Sequence, residues 1–279
     1  MGARDTGGLV FREGSEVNGL PFARGTYRTG ESRRSVLGRL SPGLALYARI
    51  VSIVLRAGAK AKRGRYDDAE WKASSLATVR ALEAAGVTID ISGLEHPAGV
   101  EGPCVFIGNH MSTLETFVLP VVLLPFKKFT FVVKRSLVEY PVFGHVMRSR
   151  DPITVGRTNP REDLKAVLEG GVERLGKGIS IVIFPQTTRV PLFDPEEFNT
   201  IGVKLAKKAN VPVVPLALKT DAWGNGTLMK EFGRIDPSKT VYFAFGAPMR
   251  VQDRGAEEHE AIVRFITTKL EAWGGSVKT

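Results

Sequence analysis

Cysteine is nearly missing from this sequence: Cys104 is the only one among 279 residues. A disulfide framework and a multi-cysteine zinc site are thereby excluded, and one thiol fits a reducing compartment. Long apolar runs are missing too. The stretch 44–55 is broken by Arg49, and 117–126 is too short, so no spanning helix is expected. The opening residues, MGARDTGGLVFREG, lack an apolar signal core, and secretion is not expected. A glycine fingerprint for a dinucleotide cofactor is absent as well. What is present is 43% hydrophobic and 24% charged residues, which excludes disorder along the whole chain.

The net charge of +10 is unevenly placed. Residues 1–80 hold fifteen Lys/Arg against seven Asp/Glu, a net of +8, whereas the remainder carries only +2. A basic segment of this kind seeks an anionic surface, either nucleic acid or a membrane face.

Three regions follow from composition. Residues 1–40, rich in Gly, Arg, Ser and Thr, are expected to be a loosely ordered basic arm. Residues 41–86 read as two helices. The first opens with Ser41 as cap and Pro42 at its first turn. It has an apolar face of Leu46, Tyr47, Ile50, Val51, Ile53, Val54 and Leu55, and a basic stripe of Arg49, Arg56, Lys60 and Arg63. That pattern suits a helix lying in a membrane interface, and equally a helix packed on its own domain with a solvated basic edge. The second runs from Asp67 or Asp68 to Gly86. Residues 87–279 alternate: strands at 88–91, 104–107, 129–133, 179–184, 213–218 and 241–245, with helices at 113–124, 161–175, 196–208 and 257–273. The expected fold class is therefore α/β, with a mixed, largely parallel sheet flanked by helices.

Four blocks carry the chemistry. In CVFIGNHMSTLE (104–115) a buried strand ends, His110 follows, and a helix opens. Ligands of α/β sheets bind at such strand ends. His110 and Glu115 are five positions apart, and with the histidine in the loop and the acid in the first helical turn they can meet as a general-base pair. Ser112 and Glu115 are also a capping box, in which Glu115 would only satisfy helix amides, and both readings stand. In IVIFPQTTR (181–189) a second strand runs into Gln186, Thr187, Thr188 and Arg189, where one cation among hydroxyls suits a phosphate or a turn held by a carboxylate. Basic residues Lys134, Arg148, Arg150 and Arg157 follow further strand-like runs, and VPVVP (211–215) is a strand start read as structural.

Taken together and in this order, the four blocks resemble the glycerolipid acyltransferases of the 1-acylglycerol-3-phosphate acyltransferase superfamily, over roughly residues 88–250. That family carries Asn-His-x4-Asp, a block ending in Arg, Phe-Pro-Glu-Gly-Thr-Arg and Val-Pro-x-x-Pro. The counterparts are Asn109, His110 and Glu115, then 144–157, then 184–189, then 211–215. The resemblance implies a glycerol-3-phosphate acyltransferase-like fold and transfer of a fatty acyl group from an acyl thioester to a lysophospholipid hydroxyl, with 1-acyl-glycerol-3-phosphate the leading acceptor. His110 and Glu115 would be catalytic, and Asn109, Lys134, Arg157, Gln186, Thr187, Thr188 and Arg189 would bind substrate. No metal and no cofactor are implied beyond acyl-CoA or acyl-carrier protein as co-substrate. Residues 41–86 would then be a membrane-docking element, placing the protein peripherally on the cytoplasmic face of the cell membrane.

Three positions depart from the family pattern: Glu115 stands for Asp, Gln186 for Glu and Thr187 for Gly. The last two touch acceptor binding, so another lysophospholipid or an amino-lipid is an alternative acceptor, and a membrane-bound scaffold without activity is a further alternative. A nucleic-acid binder is disfavoured, because aromatics do not interleave with the basic residues and no known module is visible.

Overall fold

Five neighbouring strands that point the same way set the position of every block named above. The computed structural model describes residues 16–17, 19–30, 35–186, 188–227 and 231–278. The chain opens with β1 (Glu16–Val17), β2 (Leu20–Pro21) and β3 (Tyr27–Arg28), then α1 (Val36–Leu40), α2 (Pro42–Lys62) and α3 (Asp68–Ala84). There follow β4 (Ile89–Ser92), α4 (Glu95–Gly99), β5 (Val105–Gly108), α5 (Leu114–Leu123), β6 (Phe129–Lys134), α6 (Arg135–Glu139), α7 (Phe143–Arg148) and β7 (Ile153–Val155). The last part comprises α8 (Pro160–Gly176), β8 (Ser180–Ile183), β9 (Leu192–Phe193), α9 (Ile201–Ala209), β10 (Val213–Lys219), β11 (Val241–Phe245), α10 (Ala256–Ala272) and β12 (Ser276–Val277).

The main sheet has the order β3-β4-β11-β10-β5-β8-β6-β7. From β10 to β7 all pairings are parallel. β11 is antiparallel to β10, parallel to β4, and β3 closes the edge antiparallel to β4. Alternating side chains supply two cores, as the strand pleat requires. Phe106, Phe131, Val182 and Val214 pack against α2, α3 and α5, while Val105, Ile107, Ile181 and Ile183 pack against α8, α9 and α10. The result is three layers with the sheet in the middle. Gly108 is required where it stands, because a Cβ there would sit 2.8 Å from the Leu216 carbonyl of β10.

Local chemistry starts the helices. The Asp67 carboxylate accepts from the Glu70 amide at the head of α3, and Asn159 caps α8 ahead of Pro160. Pro120 interrupts α5, and the Ser75 hydroxyl of α3 repairs the ladder, donating to the Phe117 and Val118 carbonyls and accepting from the Val121 amide.

Several expectations need correction. The arm at 1–40 is not loose over its described residues: Leu20, Phe22 and Tyr27 are buried, and β3 is a strand of the main sheet. The Tyr27 hydroxyl donates to Glu83 of α3, which also receives Thr29 at 3.1 Å and Arg80 at 2.9 Å. Burial, then that carboxylate, push the Tyr27 phenol up to about 12. The helix expected at 196–208 begins only at Ile201, since Pro195–Glu197 form a 3-10 turn capped by Asp194. Finally, α2 is long and apolar enough to cross a membrane, contrary to the reading of 44–55. It does not stand free, however. Ala45, Leu46, Ile50 and Ala57 are buried against the domain, and Tyr47 donates to the Gly233 carbonyl. Its apolar surface is divided: that inner row packs, while Leu44, Val51 and Leu55 face outward.

Candidate active site

The parallel run delivers five strand ends to one edge of the sheet, in the order β10, β5, β8, β6, β7. The segments that leave them hold Thr220, then Asn109 and His110, then Phe184 to Arg189, then Lys134, and last Gly156 and Arg157. Residues far apart in sequence thus meet because their strands point the same way.

His110 sits in the loop between β5 and α5. Its ring stacks on Phe184, with centroids 4.4 Å apart and planes 5° apart. Its Nδ1 lies 3.5 Å from Glu115 Oε1 and has no hydrogen-bond partner, so the two groups face each other just beyond bonding distance. Glu115 is fully buried. Its Oε1 accepts the Met111 amide at 2.6 Å and its two oxygens the Ser112 amide at 3.0 Å, while the Ser112 hydroxyl donates to Oε2. Glu115 thus satisfies the loop amides of Met111 and Ser112 and faces the His110 ring, while the helix itself starts after Thr113 with no side-chain cap. Burial opposes that charge, but His110 and the Ser112 amide outweigh it and hold the carboxyl below the usual carboxylate range. The Thr220 hydroxyl lies 3.0 Å from the Ser112 hydroxyl, tying the loop to the end of β10.

Two expected substrate-binding residues also hold backbone in place. Asn109 spends both ends of its amide on Leu218, donating to its carbonyl at 2.7 Å and accepting from its amide at 2.8 Å. Gln186 is buried, and its Oε1 accepts the His110 backbone amide at 2.7 Å. That contact demands only an acceptor, so an amide serves there as well as a carboxylate would. Thr187 lies outside the described residues, and Thr188 is half-buried in the same turn.

The cations form the rim. Arg189 donates to the Thr113 hydroxyl and to Glu231 Oε1 at 2.8 Å. Arg157 has left-handed backbone (φ 62°), held by Asp163, whose carboxylate accepts the Gly156 and Arg157 amides at 2.8 Å each. Partial burial, then the nearby guanidinium of Arg189, hold Arg157 below its ordinary value. Lys134 is exposed at the end of β6. His110, Lys134, Arg157 and Phe184 all line one open cleft. The cleft is lined by residues 130–134 of β6 together with Tyr66, Trp71 and Arg150, and Trp71 stacks on Phe129 at 4.8 Å. Its walls include Ile53, Val54, Phe117, Phe131, Leu137 and Phe143, so it is apolar with a charged mouth. Among the described residues, no three His, Cys, Asp or Glu side chains are grouped to hold a metal ion.

Phe184, Thr220, Asp163 and Glu231 escaped the sequence reading. Phe184 stood in a recognised block without a role, and Asp163 is an acid in a helix's first turn. Thr220 and Glu231 carry no local signal, because their partners are remote in sequence.

A family model described as Acyltransferase matches residues 88–219. The chain is 31% identical over 189 residues to the 1-acyl-sn-glycerol-3-phosphate acyltransferase of Pseudomonas aeruginosa, covering 68% of each. It is 31% identical over 140 residues to the chloroplastic 1-acyl-sn-glycerol-3-phosphate acyltransferase BAT2 of Brassica napus, or 50% of this chain and 38% of that one. In fold it is similar to the crystal structure of the 1-acyl-sn-glycerophosphate (LPA) acyltransferase PlsC from Thermotoga maritima, with a TM-score of 0.62 and 15% identity over 85% of this chain and 96% of that one.

Proposed function

The chain belongs to the acyltransferase family that includes the 1-acyl-sn-glycerol-3-phosphate acyltransferases, and from that premise we propose that it moves a fatty acyl group from an acyl thioester to the free hydroxyl of lysophosphatidate. The observation that carries this reading is the His110–Glu115 pair, set at the mouth of an apolar cleft whose rim is cationic.

The chemistry runs as follows. Nδ1 of His110 is the ring atom nearest Glu115, which leaves Nε2 for the acceptor. Nε2 takes the hydroxyl proton as the oxygen attacks the thioester carbonyl, and the buried Glu115 carboxylate stabilises the imidazolium that forms. The C–S bond then breaks, and the thiolate leaves with the proton that His110 returns. Arg157, Lys134 and Arg189 offer their charges to the acceptor's phosphate, while the cleft along β6 takes the acyl chain. Acyl-CoA and acyl-carrier protein are both donors this scheme accommodates. The neutral Gln186 leaves the machinery whole, since its bond to the His110 amide needs no charge, which argues against an inactive scaffold.

A membrane location is part of the proposal. Val36, Leu37, Leu40, Leu44, Val51 and Leu55 are exposed on α1 and the outer row of α2, and Tyr140 and Val142 are exposed on the loop beside them. Apolar side chains gathered this way, near Arg49 and Arg56 on the same helix, suit an interfacial surface over anionic lipid on the cytoplasmic side.

The test is thiol release from palmitoyl-CoA by purified protein in mixed micelles, with and without lysophosphatidate, beside His110→Ala. Acceptor-dependent release that the substitution abolishes is the expected result. Release that ignores the acceptor would mean a thioesterase, and the reading would fail.

A further inference from the structure

One carboxylate at the rim has no part in the transfer just described. Glu231 lies on the chain between β10 and β11, and its Oε1 receives Arg189 Nη2 at 2.8 Å. Neither partner is freely solvated, the side chains being 17% and 31% exposed. The backbone of Glu231 is anchored, because its carbonyl accepts Trp223 Nε1 at 3.0 Å. Trp223 is itself buried, stacked on Phe117 and edge-on to Tyr47. The side chain alone therefore reaches across to the guanidinium, while the other Arg189 nitrogen stays on Thr113.

A carboxylate and a phosphate satisfy an arginine in the same way, through short charge-assisted hydrogen bonds to anionic oxygen. We infer that Glu231 is an internal stand-in for the acceptor's phosphate: it holds Arg189 while the acceptor site is empty and is displaced when the phosphate arrives. This rests on the acceptor reading above. The stand-in sets affinity for the acceptor, because the acceptor's phosphate must first exchange with it to reach Arg189. A ligand that makes no contact with Arg189, such as the acyl chain of the donor, is indifferent to it.

The test separates this inference from the acceptor reading. Inorganic phosphate is titrated against the full-length protein by 31P NMR, comparing wild type with Glu231→Gln, which keeps shape and removes charge. The expected result is binding tightened about fivefold, the factor of a partly exposed ion pair removed from competition. Glu231→Ser, of different shape, should show the same gain, and Arg189→Ala combined with Glu231→Gln should lose it. Unchanged or weaker phosphate binding in Glu231→Gln, or a gain that survives without Arg189, would overturn the inference. In turnover, KM for lysophosphatidate should fall in Glu231→Gln by a larger factor than kcat changes, and KM for the acyl donor should not follow. A wild-type protein that never acylates lysophosphatidate would sink the acceptor reading alone, and the phosphate titration would still decide the role of Glu231.

Discussion

The loop after β5 and the cationic rim lie side by side at one sheet edge, yet they are built in opposite ways. In the loop, Asn109, Ser112 and Glu115 are buried and each is held by two or more hydrogen bonds. At the rim, Lys134 and Arg157 are exposed and Arg189 is matched with a partly exposed carboxylate. The difference follows from the work proposed for each. Proton transfer requires a positioned imidazole, and here the buried, hydrogen-bonded loop and the stacked Phe184 ring position it, while His110 Nδ1 itself has no hydrogen-bond partner. A phosphate must come and go, which suits charges whose present partners can be exchanged for it.

The sharpest way to test that contrast is to substitute one residue from each region. His110→Ala should lower kcat by up to about 10⁴, the top of the range for a lost general base. Lys134→Ala should instead raise the acceptor KM a few-fold. Equal losses of kcat from both would erase the distinction.

Glu115→Gln comes next, with an expected loss of about 10² in kcat, since the amide still accepts a loop N–H but no longer stabilises the imidazolium. Its effect on stability has a definite pH window. The Glu115 carboxyl is lowered in the folded state, so its contribution is present above the unfolded value, about 4.3, and is lost as pH falls through the folded value. Acid unfolding followed by circular dichroism should therefore be shallower in Glu115→Gln than in wild type below that pH. An identical acid limb would mean that the carboxylate is not charged in the fold.

The two rows of α2 repeat the contrast in apolar form. Leu44, Val51 and Leu55 are 60%, 44% and 54% exposed, whereas Leu46 and Ile50 are buried. Changing the three outer residues to Glu should reduce partition onto anionic vesicles about 30-fold, because apolar area that would enter the interface is replaced by charge. Melting should barely move, as for other surface changes. Unaltered sedimentation with vesicles would leave docking to some other surface.

These contrasts also mark where sequence was a sufficient guide. The strand at 241–245 is found where it was read, because an unbroken apolar run bounded by polar residues has few other uses. β3 was passed over, since two residues in a basic, glycine-rich stretch show no period, and they are strand only because β4 is beside them. In the site, His110, Glu115 and Arg189 announce themselves through short-range spacing. Glu231 is 42 residues from Arg189 in the chain, and Thr220 is 108 from Ser112. Only the folded sheet brings such pairs together, so no local pattern could display them. Asn109 and Gln186 illustrate the opposite case. Polar residues in a motif invite a role on substrate, whereas here Asn109 and the Gln186 carbonyl oxygen hold backbone.

Gln186 supplies the smallest and most exacting test of the division between scaffold and rim. Its Oε1 is the acceptor for the His110 amide, and the residue is only 6% exposed. If that bond is its purpose, Gln186→Leu should cost about tenfold in kcat, because a buried N–H beside the general base loses its partner. Gln186→Glu restores the residue type of the family motif and keeps an acceptor oxygen in place, so kcat should stay within about threefold. The charge it adds lies in the same turn as Arg189, and any change should fall on KM for the acceptor. A large gain in kcat from Gln186→Glu would mean that the site lacks a carboxylate it needs, and Gln186 would then belong to the chemistry and not to the scaffold.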